Sequence, residues 1–433
     1  MPLKSLALAL LLAAAASANA ALTPPERKIA ATVDAEYEQS VALLEKLVNQ
    51  NSGSHNIEGV TKVGEMMRAE LEPLGFQVQW IPMAEVKRAG HIVAVHKGNG
   101  RGKRMLLIGH LDTVFEKDSP FQRFVRKGDK AEGPGAGDDK GGMVVIVAAL
   151  RAMQAAGTLK NADIEVVLTG DEEDSGEPHE ISRRDLVAAG KRADVALDFE
   201  GLVVMDGQDW GSIARRSSIS WTLKVAAKSG HSSGIFTPAA GEGAIYAASR
   251  ILAAFRDELR EPNLTYNVGL IAGGTQAALD AGQIHATAAG KSNIIPATTL
   301  ARGDIRTLSD EQTDRVEARM KAIVARAYPG ATAEISFDPG YPAMAPTEGN
   351  RALLKRLNAI NADLGLKPMP ELDPLKRGAG DIAFVAKDVD GLVGLGTDSD
   401  GDHAPGETVD LDSIRRQAKR AAILMTRLSR ENR

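Results

Sequence analysis

The chain contains no cysteine in 433 residues. That absence excludes a disulfide framework, a thiolate metal site and a lipid-anchored cysteine, so any metal must be held by His, Asp and Glu. An excess of charge is also missing, with 52 Lys and Arg against 57 Asp and Glu and no basic stripe that would track a phosphate backbone. Nucleic acid is therefore not an expected partner. Beyond the first twenty residues no run has the length and apolarity of a bilayer span, and no stable membrane insertion is expected. Internal repeats and low-complexity linkers are lacking too.

What is present begins with a leader. Lys4 precedes an apolar run from Leu6 to Ala16 and then Ala18-Asn19-Ala20, the n-region, h-region and A-x-A site of a secretory signal peptide. Residues 1–20 are expected to be removed, leaving an exported protein, periplasmic or secreted, that starts at Ala21.

The length of the rest, with 43% hydrophobic residues overall, suggests two globular domains. Residues 21–210 alternate helical stretches with short apolar strands at Gly75 to Trp80, Ile92 to Val95, Met105 to Ile108 and Ile164 to Leu168, which predicts an α/β unit with a mixed central sheet flanked by helices. The helix Gly141 to Gln154 is apolar nearly all round and is expected to be buried. Residues 211–343 read differently: strand Trp221 to Ala227, helix Gly243 to Phe255, strand Leu264 to Ile271, strand Asn293 to Ile305, helix Glu311 to Ala327, strand Thr332 to Phe337. That order is βαββαβ, a ferredoxin-like α+β insertion. Residues 344–433 return to α/β character, with a helix Asn350 to Leu364, a strand Gly391 to Leu395 and a terminal helix from about Ser413.

Chemistry gathers where apolar strands end. Leu106-Leu-Ile-Gly-His110-Leu-Asp112 puts a His and an acid on one face of extended chain, where an imidazole can bind zinc and Asp112 can fix its tautomer. Gly133-Pro-Gly-Ala-Gly-Asp138-Asp139-Lys140 is a loop of flexible residues around paired acids. It is neither a Walker loop, which needs Gly-Lys-Ser/Thr, nor a dinucleotide fingerprint, whose last glycine is replaced by Lys140. Adjacent carboxylates suit a cation rather than a phosphate. A third strand empties into Asp171-Glu172-Glu173-Asp174, acids that repel one another unless solvated or neutralised. A fourth ends in Asp198-Phe-Glu200, and His403 follows a fifth. Ligands of open α/β sheets bind at such strand ends, so a shared cation site is the expected reading.

In this order and context the motifs resemble the metallopeptidases that include glutamate carboxypeptidase, succinyl-diaminopimelate desuccinylase, aminoacylase and carnosinase-like dipeptidases, over about Asn51 to Ile414. The resemblance implies a co-catalytic pair of zinc ions, with manganese or cobalt possible. His110 and Glu200 would bind one ion, Glu173 and His403 the other, and Asp138 both. It further implies a cis peptide between Asp138 and Asp139, Glu172 as general base and Asp112 as the partner of His110. The insertion would be a lid and dimerisation domain whose His231 enters the active site of the other subunit of a homodimer. Arg306, Asn293 and Gly380 match the substrate side, and the substrate would be a small peptide or N-acyl amino acid with a free carboxylate. Two departures stand out. Gly378-Ala379-Gly380-Asp381 lacks the family's hydroxyl, and Gly201 replaces proline after Glu200, where Asp198 competes as the ligand.

Two rivals remain. Gly230-His231-Ser232-Ser233-Gly234 fits the G-x-S-x-G of a serine hydrolase, although Thr237-Pro238 interrupts the helix that a nucleophile elbow needs. A non-catalytic binding protein on the same fold would have no use for a base.

Overall fold

The computed structural model describes residues 22–433, so the leader falls outside the described residues. The central sheet among them runs in the order Gln77–Pro82, Gly90–His96, Asp163–Thr169, Arg104–His110, Val195–Asp198, Gly391–Leu392. The first two strands are antiparallel to their neighbours, and the last four are mutually parallel. Parallel strands share one carboxyl end, which explains why His110, Asp171 to Glu173 and Asp198 to Glu200 meet at one edge. The α/β class with a mixed, helix-flanked sheet is as expected.

Helix Lys140–Ala155 packs against helices Pro24–Ala35 and Leu411–Leu428. Val144, Val145, Ile146, Val147 and Leu150 are fully buried, each contributing about 1.5–3 kcal/mol. A side chain at Gly142 would meet the Phe199 carbonyl at 2.0 Å, so glycine lets the start of this helix, and the Asp138-Asp139 turn before it, press against the strand ends.

Residues 211–343 form a second antiparallel sheet, in the order Thr265–Gly274, Thr298–Arg306, Ser218–Ala227, Ala331–Tyr341. Helices Gly243–Glu258 and Asp310–Val324 cover it around Trp221, Leu223, Phe255, Val316 and Met320. This is the βαββαβ order read above, with its own apolar cluster.

Three details differ. The strand expected from Asn293 begins only at Thr298. Pro296 has no N–H for a ladder, and the preceding segment is tied sideways instead, Ser232 N donating to Asn293 O (2.9 Å) and Ile295 N to Gly230 O (2.8 Å). The strand expected over Gly391 to Leu395 forms a regular ladder only at Gly391–Leu392; Val393 then bridges Ser212, Gly394 turns with φ 82°, and a single bond from the Leu395 N–H to the Asp198 carbonyl (3.1 Å) follows. A hairpin of Gln276–Leu279 with Ala286–Ala289 had no sequence signal, its strands being short and largely exposed.

Candidate metal centre and active site

His110 is almost fully buried at its strand's end. Its Nδ1 faces the Asp112 carbonyl at 3.1 Å and the Asp112 carboxylate at 3.3 Å, which turns Nε2 toward Asp138 Oδ1 at 2.9 Å. The other Asp138 oxygen, Oδ2, lies 3.0 Å from His403 Nε2, and that nitrogen is 3.2 Å from Glu173 Oε2. Two histidines, one ending a strand and one in a distant loop, thus flank one carboxylate. The Asp138–Asp139 peptide is cis, and His403 adopts the left-handed backbone, φ 65°, which non-glycine residues rarely do.

Asp112 is a hub. Its Oδ1 accepts the Glu172 N–H (3.0 Å), and its Oδ2 accepts the Glu173 N–H (3.1 Å) and the Ser54 hydroxyl (2.6 Å). One buried carboxylate therefore orients His110 and fixes the backbone of both neighbouring acids.

Two sets of ligand atoms each lie within 4.8 Å of one another, His110 with Glu172 and Glu200, and His110 with Asp138 and Glu173. Glu200 rather than Asp198 joins the first. Asp198 accepts the Glu200 N–H at 3.3 Å and faces Arg215 at 3.6 Å, while Glu200 meets Arg215 Nη1 at 2.8 Å.

The electrostatics point to a cluster short of positive charge. Burial, and then Glu200, push Glu172 well above the ordinary carboxylate range, and burial followed by Asp138 pushes Glu173 up to about 11. Burial likewise raises Asp139, whose Oδ1 is buried without a hydrogen-bond partner among the described residues. Burial lowers His110, but hydrogen bonds to Asp112 and Asp138 more than offset it and hold the ring well above its usual value. Asp138 is itself lowered, its burial outweighed by His110 and His403. Nitrogen and oxygen donors around buried acids that cannot all ionise unaided fit divalent cations.

The surroundings include residues that the sequence reading did not single out. Glu407 receives three backbone N–H groups of the glycine-rich loop, from Gly135 (3.1 Å), Gly137 (2.8 Å) and Asp138 (3.1 Å). An acid four residues after His403, facing a glycine-rich loop, was the available signal. Fully buried Arg183 bonds Asp381 (2.7 Å), Asp171 (2.6 Å) and Tyr341 Oη (2.7 Å), and that hydroxyl donates to the Glu172 carbonyl (2.8 Å). No local pattern marks Arg183, Tyr341 or Arg215.

Of the substrate-side residues, Gly380 borders this cluster through Arg215. Gly380 is where the chain makes room for Arg215, since a side chain there would meet Arg215 Nη1 at 2.0 Å. Arg306 pairs with Asp304 at 3.1 Å and approaches Gly378. His231 and Asn293 are both exposed and lie on two segments joined by the Ser232 N–H to Asn293 O bond, and among the described residues no hydrogen bond or ion pair of His231 reaches the cluster. Its Nδ1 faces Ser233 Oγ at 2.8 Å, but no acid bonds its ring and no long helix follows until Gly243, so the elbow of a serine hydrolase is not formed.

The sequence matches Peptidase family M20/M25/M40 over residues 106–427, and the chain belongs to that family. It is a hydrolase acting on peptide or amide bonds. Among known relatives it is 31% identical to carboxypeptidase G2 of Pseudomonas sp. (strain RS-16), over 89% of this chain and 88% of the relative. It is 24% identical to succinyl-diaminopimelate desuccinylase of Leptothrix cholodnii, over 66% and 73%. In fold it is similar to a dinuclear metal binding peptidase of Bacillus subtilis (TM-score 0.64, 18% identity, covering 92% and 99%) and to a Staphylococcus aureus tripeptidase (TM-score 0.68, 16% identity, covering 91% and 99%).

Proposed function

We propose that the protein is a co-catalytic two-zinc exopeptidase or amidase that cuts a peptide or N-acyl amide bond beside a free carboxylate, with Glu172 as general base. One observation carries the reading: the two oxygens of Asp138 address two different histidines, at 2.9 and 3.0 Å, the posture of a carboxylate that bridges a pair of cations. His110 and Glu200 would hold one ion, Glu173 and His403 the other, and Asp138 both, with manganese or cobalt able to replace zinc in this donor set. Bound there, the cations supply a Lewis acid for the carbonyl and make water acidic enough to serve as nucleophile near neutral pH. Glu172 takes the proton of the attacking water and delivers it to the leaving amine. Asp112 keeps the His110 ring in the orientation the site needs, and Arg306, Asn293 and Gly380 are the candidate substrate contacts.

A homodimer through the inserted unit belongs to the same proposal, with His231 completing the partner's site as a lid residue. It is supported by apolar side chains left exposed on that unit, among them Phe236, whose ring lies tilted against Tyr246 with centroids 5.6 Å apart, and Val268 and Ile271 on the edge strand. The leader supports export, with Ala21 as the first mature residue, which an intact mass of exported protein would test.

The deciding experiment is elemental analysis combined with a panel of N-acyl amino acids and dipeptides. Two ions per chain, hydrolysis abolished by a chelator and restored by zinc, and no response to a fluorophosphonate are expected. A single tightly held ion would remove the bridging role of Asp138. Hydrolysis of none of the panel would refute the reading of a bond cut beside a free carboxylate.

A further inference from the structure

The wall beside Glu200 carries a guanidinium that the proposed reaction does not use. Arg377 stands just before Gly378-Ala379-Gly380, the loop that lacks the expected hydroxyl. Its side chain is 13% exposed, and its Nη2 is 3.7 Å from Glu200 Oε2, beyond hydrogen-bond length. Both Nε and Nη2 are buried without a hydrogen-bond partner among the described residues. These two nitrogens form one edge of the planar guanidinium, a fixed fork that matches the two oxygens of a carboxylate. Each neighbouring arginine has a partner, and at most one nitrogen apiece, Arg215 Nη1 and Arg216 Nε, is buried without a well-aligned hydrogen bond among the described residues. Arg215 reaches Glu200 (2.8 Å) and the Gly378 carbonyl (2.8 Å), Arg216 bonds Thr265 (2.6 Å), and Arg306 bonds Asp304 (3.1 Å). Arg377 alone among these four has two buried donors on one edge without an acceptor. Leaving such donors idle in a buried place is costly, which makes a missing acceptor informative.

Position narrows the ligand. Glu200 belongs with His110 and Glu172 to a set of ligand atoms within 4.8 Å of one another, so the Arg377 fork opens immediately beside the reacting centre. We infer that the Nε and Nη2 edge of Arg377 receives a substrate carboxylate carried only a few bonds from the amide that is cut, making Arg377 a specificity-determining residue that selects anionic substrates. The inference rests on the hydrolase reading above. The carboxylate can be the α-carboxylate of the leaving amino acid or one at the end of a short acyl arm, and the test separates these.

Arg377→Gln, Arg377→Lys and Arg377→Met would be compared with the parent enzyme, zinc-loaded, on matched pairs: an N-acetyl dipeptide against its C-terminal amide, and an N-succinyl against an N-butyryl amino acid amide. The expected result is a KM raised ~10–100-fold for the carboxylate-bearing member of one pair and an unchanged KM for its neutral partner, with Lys, which keeps charge but not the fork, recovering only part. Which pair responds identifies the source. Calorimetry with glutarate and with neutral glutaramide reads binding without turnover, and the variants should lose affinity for glutarate alone. If all three variants hydrolyse charged and neutral partners with the parent's ratio, and bind glutarate as the parent does, Arg377 does not read a carboxylate, whatever the fate of the hydrolase reading. If the parent cleaves no amide yet the variants lose glutarate, the anion site stands and the hydrolase reading falls.

Discussion

Replacing Asp112 by Asn removes one charge while leaving the shape of the side chain almost unchanged. In the parent, four groups converge on that carboxylate: the N–H groups of Glu172 and Glu173, the Ser54 hydroxyl and the His110 ring. An amide keeps one oxygen, which can continue to serve Glu172 and His110, but presents NH2 to the Glu173 N–H, setting donor against donor, and obliges the Ser54 hydroxyl to turn and accept. Hydrogen bonds to a charged group contribute about 1.5–3 kcal/mol each, so weakening three and losing one outright should destabilise the protein by about 2–4 kcal/mol. The same change removes the negative charge beside His110 Nδ1, leaving only neutral acceptors to favour the Nδ1–H tautomer, and should weaken metal binding ~10–100-fold. Linkage gives a second signature. Although burial raises it, Asp112 is held below its ordinary value, chiefly by His110. A depressed acid contributes stability that is fully present above the unfolded value, near 3.8, and is lost as pH falls through the folded one. Urea unfolding of metal-free protein at pH 7 should therefore show the full gap between parent and Asp112→Asn, and the gap should narrow at strongly acidic pH. Equal stability at pH 7 together with equal zinc affinity would refute the hub.

Glu172→Ala should lower kcat on the order of 10²–10⁴-fold with both metals retained, whereas Glu173→Ala should lose metal, as read by elemental analysis; loss of an ion from Glu172→Ala would exchange the two roles. Glu407→Ala strands three N–H groups of the glycine-rich loop, two of them buried, and should cost about 2–4 kcal/mol in denaturant unfolding, with weaker metal binding because the Asp138 amide is one of the three. Mixing inactive His231→Ala and Glu172→Ala subunits should restore about a quarter of parental sites, since half of randomly formed dimers are mixed and each has one complete site; activity that stays at the level of the separate variants despite proven exchange would remove His231 from its partner's site.

The strand-end residues were legible because the apolar run and the acid that ends it are adjacent in sequence, so His110, Glu173 and Glu200 could be read one strand at a time. Their meeting at one edge follows from the parallel register, which the alternating pattern implied. His403 was readable only by its acid-rich loop and the family resemblance. Glu407, Arg183 and Arg377 were not, because their roles depend on partners 12 to 272 positions away, or on having none, and a local pattern carries no information about either. The strand start at Asn293 failed for a local reason: apolar Ile294 and Ile295 resemble a strand, but Pro296 and ties to the His231 turn prevail.

The hydroxyl of Tyr341 deserves a mechanical reading. Tyr341 ends the last strand of the inserted sheet, yet its hydroxyl hangs on Arg183 and holds the Glu172 carbonyl. The inserted sheet is thus tethered to the backbone of the proposed base as well as joined to the catalytic unit by covalent linkers. A displacement of that sheet relative to the central sheet would pull on the Glu172 carbonyl through this phenol, so the position of the inserted sheet and the aim of Glu172 are coupled, like a latch and the bolt it draws.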